Sequence, residues 1–263
     1  MNYYNEFDPF AAAWLRELIK EGLIPDGEVD ERSIVDVDGK DLKGFTQCHF
    51  FTGIGGWSYA LELAGWESTR PVWTGSPPCQ PFSVAGNKKG QDDERHLWPH
   101  FFKLINQCKP ATVFGEQVAA AIRTEWFDDL QTDMENEGYA TAMAVLPACS
   151  VGAPHKRERL FFMAHASNER LQGSEQHTQN HRKDGEGREG AHGSVSQFRS
   201  SYAIKCRDGQ SRPIPTQPEI FPLADGIPNR VGLLRGASNA IVPQVAAEVI
   251  KAYMDYAIQE SQM

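Results

Sequence analysis

The stretch "FTQCHFFTGIGGWSYALELAGW" (45–66) decides the fold. Its first seven residues are rich in aromatic and β-favouring side chains, which predicts a strand. That run stops abruptly at "TGIGG", where glycines 53, 55 and 56 allow a tight turn and a close backbone approach. "WSYALELAGW" then carries a helical pattern that ends near Gly65. A strand running through a glycine turn into a helix is the opening unit of many α/β sheets. Taken alone it suits several kinds of nucleotide or cofactor site, or none.

The flanking sequence repeats this alternation. "FDPFAAAWLRELIKEGLI" places apolar residues at 10, 14, 15, 18 and 19, with Asp8-Pro9 as a helix start and Gly22 as a stop. "RPVWTG" (70–75) predicts a short strand, and "HLWPHFFKLINQC" a helix interrupted early by Pro99. "ATVFGEQV" (111–118) predicts a strand followed by a polar turn, and "TEWFDDLQTDMENEGY" a helix. "ATAMAVLPA" and "RLFFMAHA" read as strands, and the last 25 residues return to helix. From Ser167 to about Pro218 the chain is polar, with few apolar anchors for a core of its own. The expected fold is therefore an α/β, doubly wound sheet with helices on both faces and ligands at the carboxyl ends of its strands. Residues 1–166 and 219–263 would form the main domain, and 167–218 a small polar insert, partly disordered.

Composition narrows the class. With 263 residues and 40% hydrophobic content, the chain can bury a real core. No apolar run approaches the roughly 20 residues of a membrane span, and the N-terminus lacks the order of a secretion signal. The five cysteines, at 48, 79, 108, 149 and 206, show no CxxC spacing, so no metal site and no disulfide framework is expected. A reducing cytoplasm fits this pattern. The net charge of −9 is uneven. Residues 151–212 hold 11 Lys and Arg against 7 Asp and Glu, a local +4 that leaves −13 on the rest. Such asymmetry suits a phosphate-binding face on an acidic body, or simply a basic solvated loop.

Three further stretches carry chemistry. "SPPCQPFS" (76–83) fixes one thiol, Cys79, in a frame stiffened by prolines. "GEQV" (115–118) puts Glu116 just beyond a strand, where it suits either an acid or a helix-cap partner. "APHKRERLFF" (153–162) sets Arg157 and Arg159 at the start of another strand, for a site or for a surface ion pair. At consecutive strand ends, a thiol, a carboxyl and two guanidiniums would meet in one crevice.

Together these motifs resemble the cytosine-C5 DNA methyltransferases. "FFTGIGG" is similar to the family's S-adenosylmethionine (SAM) loop Phe-Ala-Gly-x-Gly-Gly. "PPCQPFS" matches its Pro-Cys-Gln catalytic loop. "EQV" stands where the family has Glu-Asn-Val, "PHKRER" where it has Pro-Gln-x-Arg-x-Arg, and "SNAIVPQVA" (238–246) resembles its closing Gly-Asn-Ala-Val-x-Pro. The motifs span roughly 45–165 and 220–250. His155, Gln117 and Ser238 depart from the pattern.

The resemblance implies a Rossmann-like SAM-dependent methyltransferase sheet, with 167–218 as the target-recognition region. It implies transfer of a methyl group from SAM to C5 of a flipped cytosine, through a thiolate adduct at C6. Cys79 would be the nucleophile, Glu116 the acid at cytosine N3, and Arg159 with Arg157 the clamp on cytosine O2 and on the thiol or a nearby phosphate. Phe51, Gly53, Gly55, Gly56, Pro78 and Asn239 would line the cofactor site. Gln80, Ser83, Lys88, Lys89 and Arg95 would contact DNA. Arg199, Tyr202, Lys205 and Arg207 are candidates for reading bases or phosphates. Double-stranded DNA is the implied partner of a cytoplasmic monomer of compact, phage-like kind, with a cognate restriction enzyme as a further partner. Two other readings stay open: an RNA cytosine-C5 methyltransferase, and a catalytically silent relative that binds DNA or SAM.

One departure concerns order. In the family an acidic motif and its strands stand between the glycine loop and the catalytic loop. Here only residues 67–76 separate "AGW" from "PPCQ". "YYNEFDPFAAAWL" (3–15) resembles the missing segment and lies before the glycine loop. A circularly permuted order follows. On it, Glu6 would bind the ribose hydroxyls, and Phe7 would pack on adenine with Phe51 on its other side or edge. Ser33 and Ile34 of "RSIVDV" would contact the adenine edge.

Overall fold

The computed structural model describes residues 1–78, 97–123, 125–166, 201–205, 211–215, 236 and 239–260. Strand β1 (Asn2–Asn5) leads through α1 (Pro9–Lys20) to β2 (Gly27–Asp30), and two 3-10 turns follow. Next come β3 (Gln47–Phe50), α2 (Gly56–Ala64), β4 (Val72–Gly75), α3 (Trp98–Cys108) and β5 (Thr112–Val118). Helix α4 (Glu125–Asn136), β6 (Tyr139–Pro147) and β7 (Glu158–Ala166) complete the main sheet. Helix α5 (Pro243–Glu260) packs back on it.

Seven strands line up as β2-β1-β3-β4-β5-β7-β6. β1 to β5 pair in parallel, whereas β7 runs antiparallel to both of its neighbours. The order reverses between β1 and β3: the chain first moves outward to β2, then returns and proceeds through β4 to β5. In open α/β sheets, ligands settle at such a switch point.

Side-chain alternation along the strands builds two cores. Tyr3, Phe50, Trp73, Val113 and Phe162 face α3 and α4, against Phe101, Leu104, Ile105, Leu130 and Met134. Their sequence neighbours Val72, Phe114 and Phe161 face the other way, against Trp57 and Leu61 of α2 and Val245 and Ile250 of α5. Tyr4 joins Leu15 and Ile24 beneath α1. This is the doubly wound α/β arrangement expected.

Local chemistry explains the elements. Asp8 caps α1, its carboxylate accepting from the amides of Phe10 and Ala11, with Pro9 at the first position. Gly55, at φ +84°, starts α2, and Gly65 ends it in the left-handed region. Gly115 is needed for space: a Cβ there would lie 2.0 Å from Phe162 Cζ and 2.7 Å from the carbonyl oxygen of Gly75.

Two expectations need correcting, and two elements are additional to those expected. Pro99 does not interrupt α3 but sits in its first turn, where a missing N–H costs nothing. β5 is followed by a 3-10 turn, Ala119–Arg123, rather than a polar turn. β2 was not foreseen; it forms by pairing with β1. The polar stretch after Ser167 contributes a two-stranded antiparallel sheet, β8 (Ser201–Lys205) with β9 (Ser211–Pro215).

Candidate active site

A cleft of about 700 Å³ opens along the carboxyl ends of β1, β3, β4 and β5. β7 is antiparallel, so its start lies at this same edge, with Arg159 paired opposite Val118. The cleft is lined by Glu6, Phe7, Ser33, Ile34, Phe51, Gly53, Gly56, Pro78, Glu116, Arg157, Arg159 and Asn239. Residues far apart in sequence thus share one wall. Gly55 is not among them; it backs onto Leu15 and Leu18 of α1, and its part is the turn itself.

One half of the cleft is a backbone cradle. Glu6 Oε2 accepts from the amide of Gly53 at 2.6 Å, and Oε1 from the amide of Asp8 at 2.9 Å. Thr52 fastens the same corner, its amide and hydroxyl both donating to the Asn5 carbonyl. Ser33 and Ile34 are not on a strand; they begin a 3-10 turn. A polar network holds that turn. Arg32 bonds Asp30 and Asp41, Tyr3 donates to Asp30 at 2.7 Å, and Asn5 Nδ2 donates to the Arg32 carbonyl. Burial pushes the Asp30 carboxyl up, but the bonds from Arg32 and Tyr3 outweigh it and hold the group below the usual range. Phe7 lines the cleft and is 71% exposed. Phe51 is partly buried, edge-on to Phe101, with its backbone at φ +53°.

The other half is charged. Arg159 Nε lies 2.8 Å from Glu116 Oε1. Burial pushes the Glu116 carboxyl up to about 7, although Arg159 and Arg157 both pull it down. A carboxyl near 7 holds or gives up a proton at neutral pH, as a general acid or base must. Arg157, at φ +33°, donates from Nη2 to the Ala240 carbonyl at 2.7 Å, tying the β7 start to the segment that carries Asn239. Burial, and then its neighbour Arg159, lower the Arg157 affinity for its proton.

The segment entering the thiol loop is held from two sides. Gln117 Nε2 donates to the Pro77 carbonyl at 2.9 Å, and Trp57 Nε1 donates to Ser76 Oγ at 3.0 Å. Cys79, Gln80, Ser83, Lys88, Lys89 and Arg95 lie outside the described residues, as does Ser238. Sequence reasoning missed Trp57, Ser76, Asn5 and Arg32 as parts of the site. "GGW" and "SPP" name the first two residues, but nothing in the sequence says that they touch.

The family model described as "C-5 cytosine-specific DNA methylase" matches residues 70–207. The chain belongs to this methylase family. Its matched span holds Pro78, Glu116, Arg157 and Arg159 and leaves Glu6, Phe7, the glycine turn and Asn239 outside. Among curated methylases, the Type II methyltransferase M.AplI of Arthrospira platensis is 34% identical over 96 residues, 36% of this chain and 28% of that protein. M.HhaI of Haemophilus parahaemolyticus is 26% identical over 169 residues, 49% of this chain and 52% of that protein. This methylase-family chain therefore spans from about a quarter to about a half of these relatives' length. Among solved structures, the Entamoeba histolytica methyltransferase EhMeth superposes with a TM-score of 0.43 at 16% identity, over 69% of this chain and 48% of that one.

Proposed function

We propose that this methylase-family chain transfers a methyl group from SAM to C5 of a flipped cytosine in double-stranded DNA. The observation that carries the reading is one cleft in which the Glu6–Gly53 cradle and the Glu116–Arg159 pair face the same space.

The residues present suit SAM. A carboxylate has about four lone-pair sites, so Glu6 can keep its two amides and still accept ribose hydroxyls. Phe7 offers an exposed ring for a purine face, with Ser33 and Ile34 nearby for its edge. When bound, SAM supplies an electrophilic methyl group. Phe51, Gly53, Gly56 and Asn239 would shape its pocket.

The chain's own groups do the rest. Cytosine C5 is a weak nucleophile until a thiolate adds to C6. Cys79 would form that C6–S bond, which splits one hard step into two easier ones. Glu116, with a carboxyl near 7, would share its proton with cytosine N3 as C6 is attacked. Arg159, whose fork offers five donors, would hold cytosine O2 while keeping Glu116 in place. After methyl transfer the C5 proton leaves, the C6–S bond breaks, and the thiolate returns. The base reaches this cleft only by leaving the duplex stack. On this reading residues 167–218 recognise the target, with Lys88, Lys89 and Arg95 meeting phosphates. Glu6 at the N-terminus then stands for the family's acidic motif in permuted order.

A duplex carrying 5-fluorocytosine tests the mechanism, because fluorine blocks the loss from C5 and traps the adduct. A stable complex through Cys79, lost in Cys79→Ala, is expected in the presence of SAM. No adduct, with SAM bound in calorimetry, would favour a silent DNA- or SAM-binding protein. Bisulfite sequencing of DNA from expressing cells then reads the target site, and a parallel tRNA substrate checks the RNA reading.

A further inference from the structure

Trp57 is the second residue of α2, directly after the glycine turn. Its indole packs on the sheet face against one aromatic from each of two adjacent strands of the catalytic half. It stacks on Phe114 at 6.4 Å and 23°, and meets Phe161 edge-on at 6.4 Å and 79°. Phe114 precedes Glu116 by two residues on β5, and Phe161 follows Arg159 by two on β7. With its ring locked there and 2% exposed, Trp57 has one polar handle, and it points at Ser76 Oγ, 3.0 Å away. Ser76 stands three residues before Cys79. Pro77 and Pro78 have no N–H to donate, so these two residues can be held only through their carbonyls. Gln117 takes one carbonyl, and Trp57 takes the hydroxyl.

We propose that Trp57 is a positioning residue: its indole N–H, through Ser76, sets where the thiol loop leaves β4 and joins the glycine turn of the cofactor half to that loop. Of the large aromatic side chains, only tryptophan combines this wide ring with an N–H donor. A phenylalanine would keep the packing and release Ser76. The consequence for catalysis rests on Cys79 being the nucleophile; the anchoring of the loop does not.

The experiment compares Trp57→Phe, Ser76→Ala, Ser76→Thr and the Trp57→Phe/Ser76→Ala double variant in the full chain. Adduct formation on the 5-fluorocytosine duplex slows about 5- to 10-fold in Trp57→Phe and in Ser76→Ala, while SAM affinity by calorimetry stays within about 2-fold. The double variant is no slower than either single one, because both remove the same bond. Ser76→Thr, which keeps the hydroxyl, restores most of the rate. A second readout needs no catalysis: the rate at which iodoacetamide alkylates Cys79, followed by peptide mass spectrometry. It shifts at least 3-fold in Trp57→Phe and Ser76→Ala, and not in Ser76→Thr. Equal alkylation rates in wild type and Trp57→Phe, or losses that multiply in the double variant, overturn the proposal. A wild type that forms no adduct sinks the nucleophile reading instead, and alkylation still decides the part of Trp57.

Discussion

Glu116 stands where two opposing effects can be weighed. Its 2.8 Å contact with Arg159 favours a carboxylate. Its burial, at 9% exposure, favours the neutral acid. Burial wins, since the group sits at about 7 rather than the ordinary 4.5. At about 1.4 kcal/mol per pH unit, that difference makes the ionised carboxyl about 3 kcal/mol less favourable in the folded chain than in the unfolded one. The sign follows by linkage. Between pH 4.5 and about 7 the folded chain holds a proton that the unfolded chain has released, so stability falls as pH rises, then levels off. Glu116→Gln keeps an oxygen for Arg159 and cannot ionise. It should match wild type near pH 4.5 and exceed it by up to about 3 kcal/mol at pH 8. For a domain of this size that is about 6–12 °C in melting temperature. Thermal melts of both proteins across pH 4.5–9 measure it, and all other titrating groups cancel in the difference. Methyl transfer should meanwhile drop about 10²- to 10⁴-fold with the loss of the proton donor. A flat difference between the two melting curves would refute the reasoning. So would a variant less stable than wild type at pH 8, which would mean that the Arg159 pair outweighs burial.

Other outcomes follow from the same geometry. His49 is fully buried between Tyr4 and Thr74, and burial lowers its affinity for a proton to about 3. The unfolded chain then binds the extra proton below the ordinary 6.5, so stability should fall by about 1.4 kcal/mol per pH unit as pH drops from 6.5 toward 3. His49→Phe keeps the ring stack on Tyr4 and should flatten this acid limb in thermal melts; an unchanged slope would count against it. Glu6→Ala removes an acceptor of charge-assisted bonds, each worth about 1.5–3 kcal/mol, and should weaken SAM binding in calorimetry at least about 10-fold. Unchanged affinity would end the permuted assignment of Glu6. Gly115→Ala would force a Cβ to within 2.0 Å of the Phe162 ring and should cost about 3 kcal/mol or more, read as a collapse of melting temperature. Phe162→Leu in the same chain should recover part of it.

The elements that were legible carry their signals within a few residues. Asp8-Pro9 starts α1 because a carboxylate caps free amides and a proline needs none. The glycines around Ile54 mark a turn because φ is positive at 53 and 55. Glu116, Arg157 and Arg159 were legible as candidates because Glu116 follows one apolar run and the arginines lead into another. What was hidden depends on partners distant in sequence. β2, "GEVD", has no pattern of its own and exists through its register with β1. Gly115 looks like a weak point in a strand until the Phe162 ring is placed over it. Pro99 looks like a break until the helix is seen to begin at Trp98. Trp57 looks like one more core aromatic, because nothing local reveals which hydroxyl its N–H meets.

The sheet also shows why the order of segments along the chain matters little to the cleft. The cleft needs the β1 turn beside the β3 turn, and the β4 exit beside the end of β5 and the start of β7. Those are adjacencies in space. The Glu6–Gly53 bond joins residues 47 apart, and the Gln117–Pro77 bond joins residues 40 apart. Neither cares which strand came first. In a parallel sheet every strand delivers its carboxyl end to the same edge, so a unit such as β1-α1-β2 can precede or follow the glycine strand and still present Glu6 to it. What cannot be exchanged is the neighbour relation. β1 must pair with β3, and that pairing rests on buried faces: all four residues of β1 and all four of β3 are buried. A one-residue slip would turn Tyr3 away from Phe50 and carry Glu6 away from Gly53 together. The packing that fixes the core register therefore also fixes the Glu6–Gly53 cradle, whatever the order in which the chain visits its strands.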